Sequence, residues 1–202
     1  MERISVFDML KIGVGPSSSH TMGPWQAALY FLDKLDAQQH NIQSLTVDLY
    51  GSLAKTGRGH GTDIAVMMGL RGDNPRTCDV SQITANIDAI YATNTLNLNR
   101  KYSITFIPQL DIVYHFDESL PFHPNGLRFT AKYQDSSTLS AEYYSVGGGF
   151  VVEAGEDTSQ NTVQLPYPCD KSADLLAHCT QNDLHIWEMV WANEQVWREP
   201  EQ

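Results

Sequence analysis

A turn-forming run, Gly13-Val14-Gly15-Pro16-Ser17-Ser18-Ser19-His20-Thr21, stands directly before an apolar-periodic stretch from Trp25 to Leu35. That order marks the start of a helix. Glycine and proline end what precedes it, serine hydroxyls can cap it, and Ala27, Ala28, Phe31, Leu32 and Leu35 then recur on one face. The first N–H groups of a helix lack intrahelical partners and lie at the positive end of its dipole. Such a start attracts a carboxylate or phosphate, and His20 stands where it could move a proton. A plain serine cap uses the same residues, so the rest of the chain has to separate the two readings.

A second glycine-rich segment follows a strand. Residues 42–50 alternate Leu45, Val47 and Leu49, which predicts a half-buried strand. Gly51, Gly57, Gly59 and Gly61 then predict a turn that opens onto an apolar helix over residues 62–70, ended with the help of Gly69 and Gly72. Strand, glycine turn and helix together are the ordinary layout of an α/β ligand site. Further helices are expected over residues 4–10, with Ile4, Phe7 and Leu10 on one face, over 20–38, and over 79–91, with Ile83, Ile87 and Ile90 on one side. Beyond Tyr102 the period drops to two. Strands are expected over 103–106, 111–114, 127–133 and 139–146, with turns at 121–126, 135–137 and 147–149. Residues 153–164 read as an exposed linker. Two helices, 172–179 and 183–198, follow, and the last carries Trp187, Trp191 and Trp197. That aromatic area either packs on its own domain or meets a partner outside this sequence. The fold class is α/β, a mixed sheet with helices.

Composition narrows the function. At 202 residues the chain can build one sizeable core or a domain with an appendage. Its 13 Lys and Arg against 24 Asp and Glu leave a formal charge of -11. That opposes nucleic-acid binding and anionic membrane surfaces. No apolar run is long enough to span a bilayer, and Met1-Glu2-Arg3 does not lead into a signal-peptide core. A cytoplasmic location is expected. Cys78, Cys169 and Cys179 are widely spaced with no Cys-x-x-Cys pair, which gives little support to metal ligation by this chain.

Of the seven histidines, three lie in glycine- or proline-rich turns: His20, His60 between Gly59 and Gly61, and His123 before Pro124-Asn125-Gly126. A histidine between two glycines points to close approach of the backbone to something. Thr62 and Asp63 are placed to cap the next helix or orient the ring. His40, His115, His178 and His185 read as surface or edge residues. There is no His pair at i, i+4, no Gly-x-Ser-x-Gly elbow, no Gly-x-Gly-x-x-Gly and no phosphate-loop lysine. Composition and spacing therefore imply an α/β domain with a small-anion site made from two glycine-rich turns.

Taken together the motifs are more specific. Residues 5–21, Tyr50-Gly51-Ser52-Leu53, the run Thr56-Gly57-Arg58-Gly59-His60-Gly61-Thr62-Asp63, and His123-Pro124-Asn125-Gly126-Leu127-Arg128-Phe129 keep the order and spacing of one family. So do Tyr143-Tyr144-Ser145-Val146-Gly147-Gly148-Gly149-Phe150 and Pro166-Tyr167-Pro168. Over residues 3 to 180 the chain resembles the β domain of the bacterial iron–sulfur L-serine dehydratases, or L-serine ammonia-lyases.

The resemblance implies a β domain over 1–155, similar in fold to the allosteric substrate-binding domain of phosphoglycerate dehydrogenases. Residues 156–202 would then be a linker and terminal helices leading toward an α domain. The family converts L-serine to pyruvate and ammonia, with a 4Fe-4S cluster whose open iron takes the substrate hydroxyl as a Lewis acid. The cluster's cysteines belong to the α domain or subunit, which nothing in this sequence matches, so no metal ligand is assigned here. Around Cys169 the chain also departs from the family's usual Phe-Lys-Ser-Ala. By resemblance Ser17, Ser18, Ser19, His20 and Thr21 grip the substrate carboxylate, His123 and Asn125 orient substrate, and His60 is the base or polarises the site. Expected partners are L-serine, the α domain or subunit, and further copies of the chain. This chain alone is expected to be inactive. The alternatives are a stand-alone regulatory module binding serine or a hydroxy acid, and an inactive truncated remnant.

Overall fold

The computed structural model describes residues 5–35, 41–156 and 163–198. The chain divides into two compact units: residues 12–156, and the residues up to 11 together with those beyond 156. The helices are α1 (Val6–Met9), α2 (Gly23–Leu35), α3 (Gly51–Thr56), α4 (Thr62–Leu70), α5 (Ile83–Thr93), α6 (Pro108–Asp111), α7 (Ser172–Asn182) and α8 (Ile186–Glu194). The strands are β1 (Ile42–Tyr50), β2 (Thr95–Leu98), β3 (Tyr102–Thr105), β4 (Ile112–His115), β5 (Gly126–Tyr133), β6 (Thr138–Gly147) and β7 (Phe150–Glu153).

The larger unit is built on a five-stranded mixed sheet in the order β4-β1-β5-β6-β7, with β2 and β3 forming a separate two-stranded ribbon. β1 pairs in parallel with β4 and antiparallel with β5. Period two in β1 explains the layering. Leu45, Val47 and Leu49 are buried, whereas Thr46 and Asp48 between them are half-exposed. Register aligns Val47 with Phe129 and Phe129 with Ala141. Phe129 stacks on Phe31 of α2 at 5.0 Å between ring centroids. The five residues predicted to face inward from α2 are all buried. On the opposite face Asp48, Arg128 and Glu142 share a row, and both Nε and Nη2 of Arg128 donate to Glu142, at 2.9 and 2.6 Å.

α2 and α4 pack closely because Gly69 lets them. A Cβ built there would lie 2.6 Å from both the Trp25 carbonyl oxygen and the Ala28 Cβ. Trp25 is fully buried, and its indole N–H donates to the Asp73 carbonyl at 2.6 Å.

In the second unit the Glu194 carboxylate accepts from the Ser5 hydroxyl at 2.6 Å and the Val6 N–H at 2.8 Å, fixing α1 to the end of α8. The Asn193 amide and the Tyr167 backbone bond reciprocally, each at 2.9 Å. Asp174 and Glu188 reach back to the N–H groups of Lys171 and His185, the carboxylate half of a capping box. Met189 is buried, while Trp187 and Trp191 are 65% and 52% exposed.

Several elements differ from expectation. The 51–61 segment is α3 and a 3-10 turn, Gly57–His60, rather than an open turn. The helix expected over 20–38 opens as a π-helical turn, Ser18–Met22, and residues 36–38 lie outside the described residues. α5 is preceded by a 3-10 turn capped by Asp79 and runs on to Thr93. Near the N-terminus, Phe7 and Leu10 are exposed, and Ile4 lies outside the described residues. β2 and β7 are four-residue strands, too short to show a period, and Glu153 ends β7 instead of opening a linker. No helix among the described residues is long and apolar enough to cross a membrane.

Gly69→Ala tests the α2–α4 contact. Alanine gains about 1 kcal/mol of helix propensity, but the 2.6 Å approach to a backbone oxygen cannot be relieved by a rotamer change. Overpacking costs about 1–3 kcal/mol, so denaturant unfolding is expected to show a net loss.

Candidate functional site

The two glycine-rich segments meet in the larger unit. Ser17 is the cap of the π-helical turn: its Oγ accepts from the His20 N–H at 3.2 Å, and its carbonyl accepts from the N–H groups of Thr21 and Met22. By position, Ser18 and Ser19 have no intrahelical carbonyl for their N–H groups. The cap and the anion-attracting start are therefore the same structure.

Two buried threonines lock this turn to the second segment. Thr21 Oγ1 donates to the His60 carbonyl at 2.8 Å, and Thr62 Oγ1 donates to the His20 carbonyl at 2.6 Å. Each hydroxyl thus satisfies the carbonyl of the opposite histidine. Gly57 makes room for this, since a Cβ there would lie 2.8 Å from Thr62 Oγ1. Gly61, at φ +65°, reverses the chain between His60 and Thr62. The result brings the two imidazoles to 5.0 Å between centroids, tilted by 40°.

The two rings are wired differently. His20 Nδ1 is 2.9 Å from Ser19 Oγ, and His20 Nε2 is 3.0 Å from Ser52 Oγ, so hydroxyls engage both nitrogens. Burial, reinforced by His60, holds the His20 pKa below the ordinary histidine value, against an opposing effect of Ser52. His60 Nδ1 lies 3.0 Å from the Thr56 carbonyl. A carbonyl only accepts, so Nδ1 carries the proton and Nε2 of the neutral ring carries the lone pair. Thr62 and Asp63 do not orient this ring: Thr62 bonds to His20, and Asp63 Oδ1 accepts from the Ile64 N–H.

The 121–126 turn joins through Ser52. The Ser52 N–H donates to the Pro124 carbonyl at 2.9 Å, and Gly51, at φ +53°, could hold no Cβ so close to that oxygen. In the turn the Asn125 N–H donates to His123 Nδ1 at 3.1 Å. The Asn125 side-chain amide donates to the Ser145 carbonyl at 3.1 Å, and the Ser145 N–H donates back to the Asn125 carbonyl at 3.0 Å. Ser145 is fully buried, its hydroxyl has no partner among the described residues, and the absence of a side chain at Gly23 leaves it space.

Of the residues singled out in sequence, Ser17, Ser19, His20, Thr21 and His60 form one hydrogen-bonded cluster, and Ser18 is exposed beside it. His123 and Asn125 are tied to the cluster through Ser52. Ser52 and Ser145 were missed as site residues, although both stand in quoted motifs; each acts through a tertiary contact. His115 is half-buried, stacked on Tyr50 and 2.7 Å from Asp48, while His40 lies outside the described residues. Among the described residues no three His, Cys, Asp or Glu side chains come together in a set that could hold a metal ion. Burial and Asp73 raise the Cys78 thiol above its ordinary value, which disfavours the thiolate an iron ligand must be.

These features fit a known group of proteins. The family described as serine dehydratase beta chain matches residues 5–156, and this chain belongs to that family. It is 41% identical over 196 residues to L-serine dehydratase 2 of Escherichia coli K12, covering 95% of this chain and 43% of that protein. It is 41% identical over 197 residues to the L-serine dehydratase of Haemophilus influenzae, with 95% and 43% covered. With the Streptomyces coelicolor L-serine dehydratase it shares 40% over 207 residues, covering 98% and 45%. The chain spans less than half the length of these relatives.

Two outcomes check the site. Thr62→Val leaves the His20 carbonyl without its donor and is expected to cost about 1–3 kcal/mol by denaturant unfolding. Because the folded His20 pKa lies below its unfolded value, the unfolded chain takes up its proton first. Stability is then full above about pH 6.5 and falls as pH drops through the folded value. His20→Asn is expected to flatten this part of the Tm-against-pH curve.

Proposed function

We propose that this chain is the β part of an L-serine dehydratase, contributing the carboxylate grip and the base for conversion of L-serine to pyruvate and ammonia. The observation that carries the reading is the His60 tautomer: Nδ1 bonded to the Thr56 carbonyl, Nε2 left basic. The turn at Ser17 to Thr21 receives the substrate carboxylate on the N–H groups of Ser18 and Ser19 and the neighbouring hydroxyls. His20, neutral and held on both nitrogens by Ser19 and Ser52, lines that carboxylate site without adding charge. His123 and Asn125 orient the substrate from the facing turn.

His60 Nε2 then takes the α-proton, the C–H electron pair forms the Cα–Cβ double bond, the β-hydroxyl leaves with its bonding pair, and the proton held on His60 completes water and restores the base. The aminoacrylate product tautomerises to an imine, and water releases ammonia and pyruvate. The α-proton beside a free carboxylate is weakly acidic, so donors on the carboxylate lower the barrier together with the base. The described residues of this chain do not fit a 4Fe-4S cluster, and we assign the cluster to the α part. Residues 156–202 are assigned to the connection with that part, and the exposed Trp187 and Trp191 suit such a contact. The cytoplasmic location, the homo-oligomer and the likeness to the allosteric substrate-binding domain of phosphoglycerate dehydrogenases belong to the same reading.

The test is anaerobic assay of pyruvate from L-serine with this chain and a cluster-loaded α partner. Turnover is expected only with both present. His60→Gln is expected to lower kcat by about 10²- to 10⁴-fold with KM little changed. Full activity of His60→Gln would remove His60 as base; absence of turnover with both intact parts would favour the stand-alone binding module or the inactive remnant.

A further inference from the structure

A cavity of about 450 Å³ opens between α2 and the β6–β7 edge, lined by none of the residues of the histidine site. Asp33 and Lys34 reach it from α2, Tyr143 from β6, Glu153 from β7, and Glu156 from just beyond. Tyr143 is fully buried, yet its hydroxyl has no hydrogen-bond partner among the described residues. Buried polar groups are ordinarily paired. Burial, with the nearby charges of Glu153 and Asp33, raises this phenol above its ordinary value, so it stays neutral with its oxygen free to accept.

The charges around that oxygen indicate what would pair with it. Lys34 is occupied by Glu153 at 2.8 Å, and the Glu156 carboxylate accepts the Glu153 N–H at 3.2 Å. Asp33 has no ion pair among the described residues. With three carboxylates against one ammonium the lining carries a surplus of negative charge, which repels anions. The carboxylates do not converge on one point as metal ligands would. The Tyr30 ring and Val151 supply apolar wall.

We propose that this cavity binds a small primary aliphatic amine. Its ammonium lies at Asp33 with one N–H donated to the Tyr143 phenol oxygen, and its methylenes lie against Tyr30 and Val151. An ammonium offers three donors and suits an acceptor set of carboxylate and neutral phenol. Aromatic walls add cation–π attraction.

The experiment is titration of the full chain with n-butylammonium, followed by backbone amide NMR, with butyrate as the anionic control. Saturable shifts at residues 30–34 and 151–153 are expected for the amine alone. Asp33→Asn is expected to weaken binding at least tenfold, and Tyr143→Phe severalfold. Tyr143→Phe also keeps the ring and its edge contact with Phe129, so its Tm is expected to equal or exceed that of the parent chain. Absence of saturable shifts, an equal response to butyrate, undiminished binding in both variants, or a clear fall in Tm for Tyr143→Phe would each overturn the proposal.

Discussion

The reciprocal threonine clasp is the constraint on which the site depends. Thr21 reaches the His60 carbonyl and Thr62 the His20 carbonyl, so two segments forty residues apart are held at two points. Threonine suits the task because its branched side chain has few χ1 states, and a hydroxyl placed by a helix therefore fixes its acceptor closely. Both hydroxyl-bearing residues are buried, where an unpaired carbonyl or hydroxyl is expensive. Alternative arrangements of the two turns are disfavoured for that reason. Gly57 and Gly61 belong to the same device, one by leaving room for Thr62 and the other by turning the chain between His60 and Thr62.

Given that frame, the two imidazoles have different tasks although they lie 5.0 Å apart. Hydroxyls can donate or accept, so Ser19 and Ser52 leave His20 a neutral ring satisfied on both sides. A carbonyl can only accept, so Thr56 settles which nitrogen of His60 is basic. Two neighbouring cationic imidazoles would repel, and the lowered His20 pKa relieves that conflict by keeping one ring uncharged. The neutral partner also leaves a negative substrate group to the backbone N–H groups of the turn.

Much of this was legible in the sequence. β1 and the buried face of α2 follow directly from periodicity, because long amphipathic elements announce their own period, and α4 follows from an apolar run ended by Gly69 and Gly72. The run at Ser17 to Thr21 and the glycine-flanked His60 stand out in the sequence by residue type, and the structure brings them together as one hydrogen-bonded cluster. The helical character of residues 51–60 was hidden, because the four glycines of the 51–61 segment read as a turn while packing against β1, β4 and β5 makes it helical. β2 and β7 were hidden by their length. Ser52 and Ser145 were hidden because a serine shows its role only through a partner distant in sequence. The orphan hydroxyl of Tyr143 was hidden for the same reason: in the sequence it is one more apolar position of a strand.

The central claim is that the backbone holds His60 in one tautomer with a basic Nε2 beside a neutral His20. Imidazole ¹⁵N NMR of the full chain at pH 8 measures this directly. The account predicts a protonated Nδ1 and an unprotonated Nε2 for His60, and no charged form of His20. A His60 ring protonated on Nε2 would contradict it, since the nitrogen assigned as the base would already hold a proton.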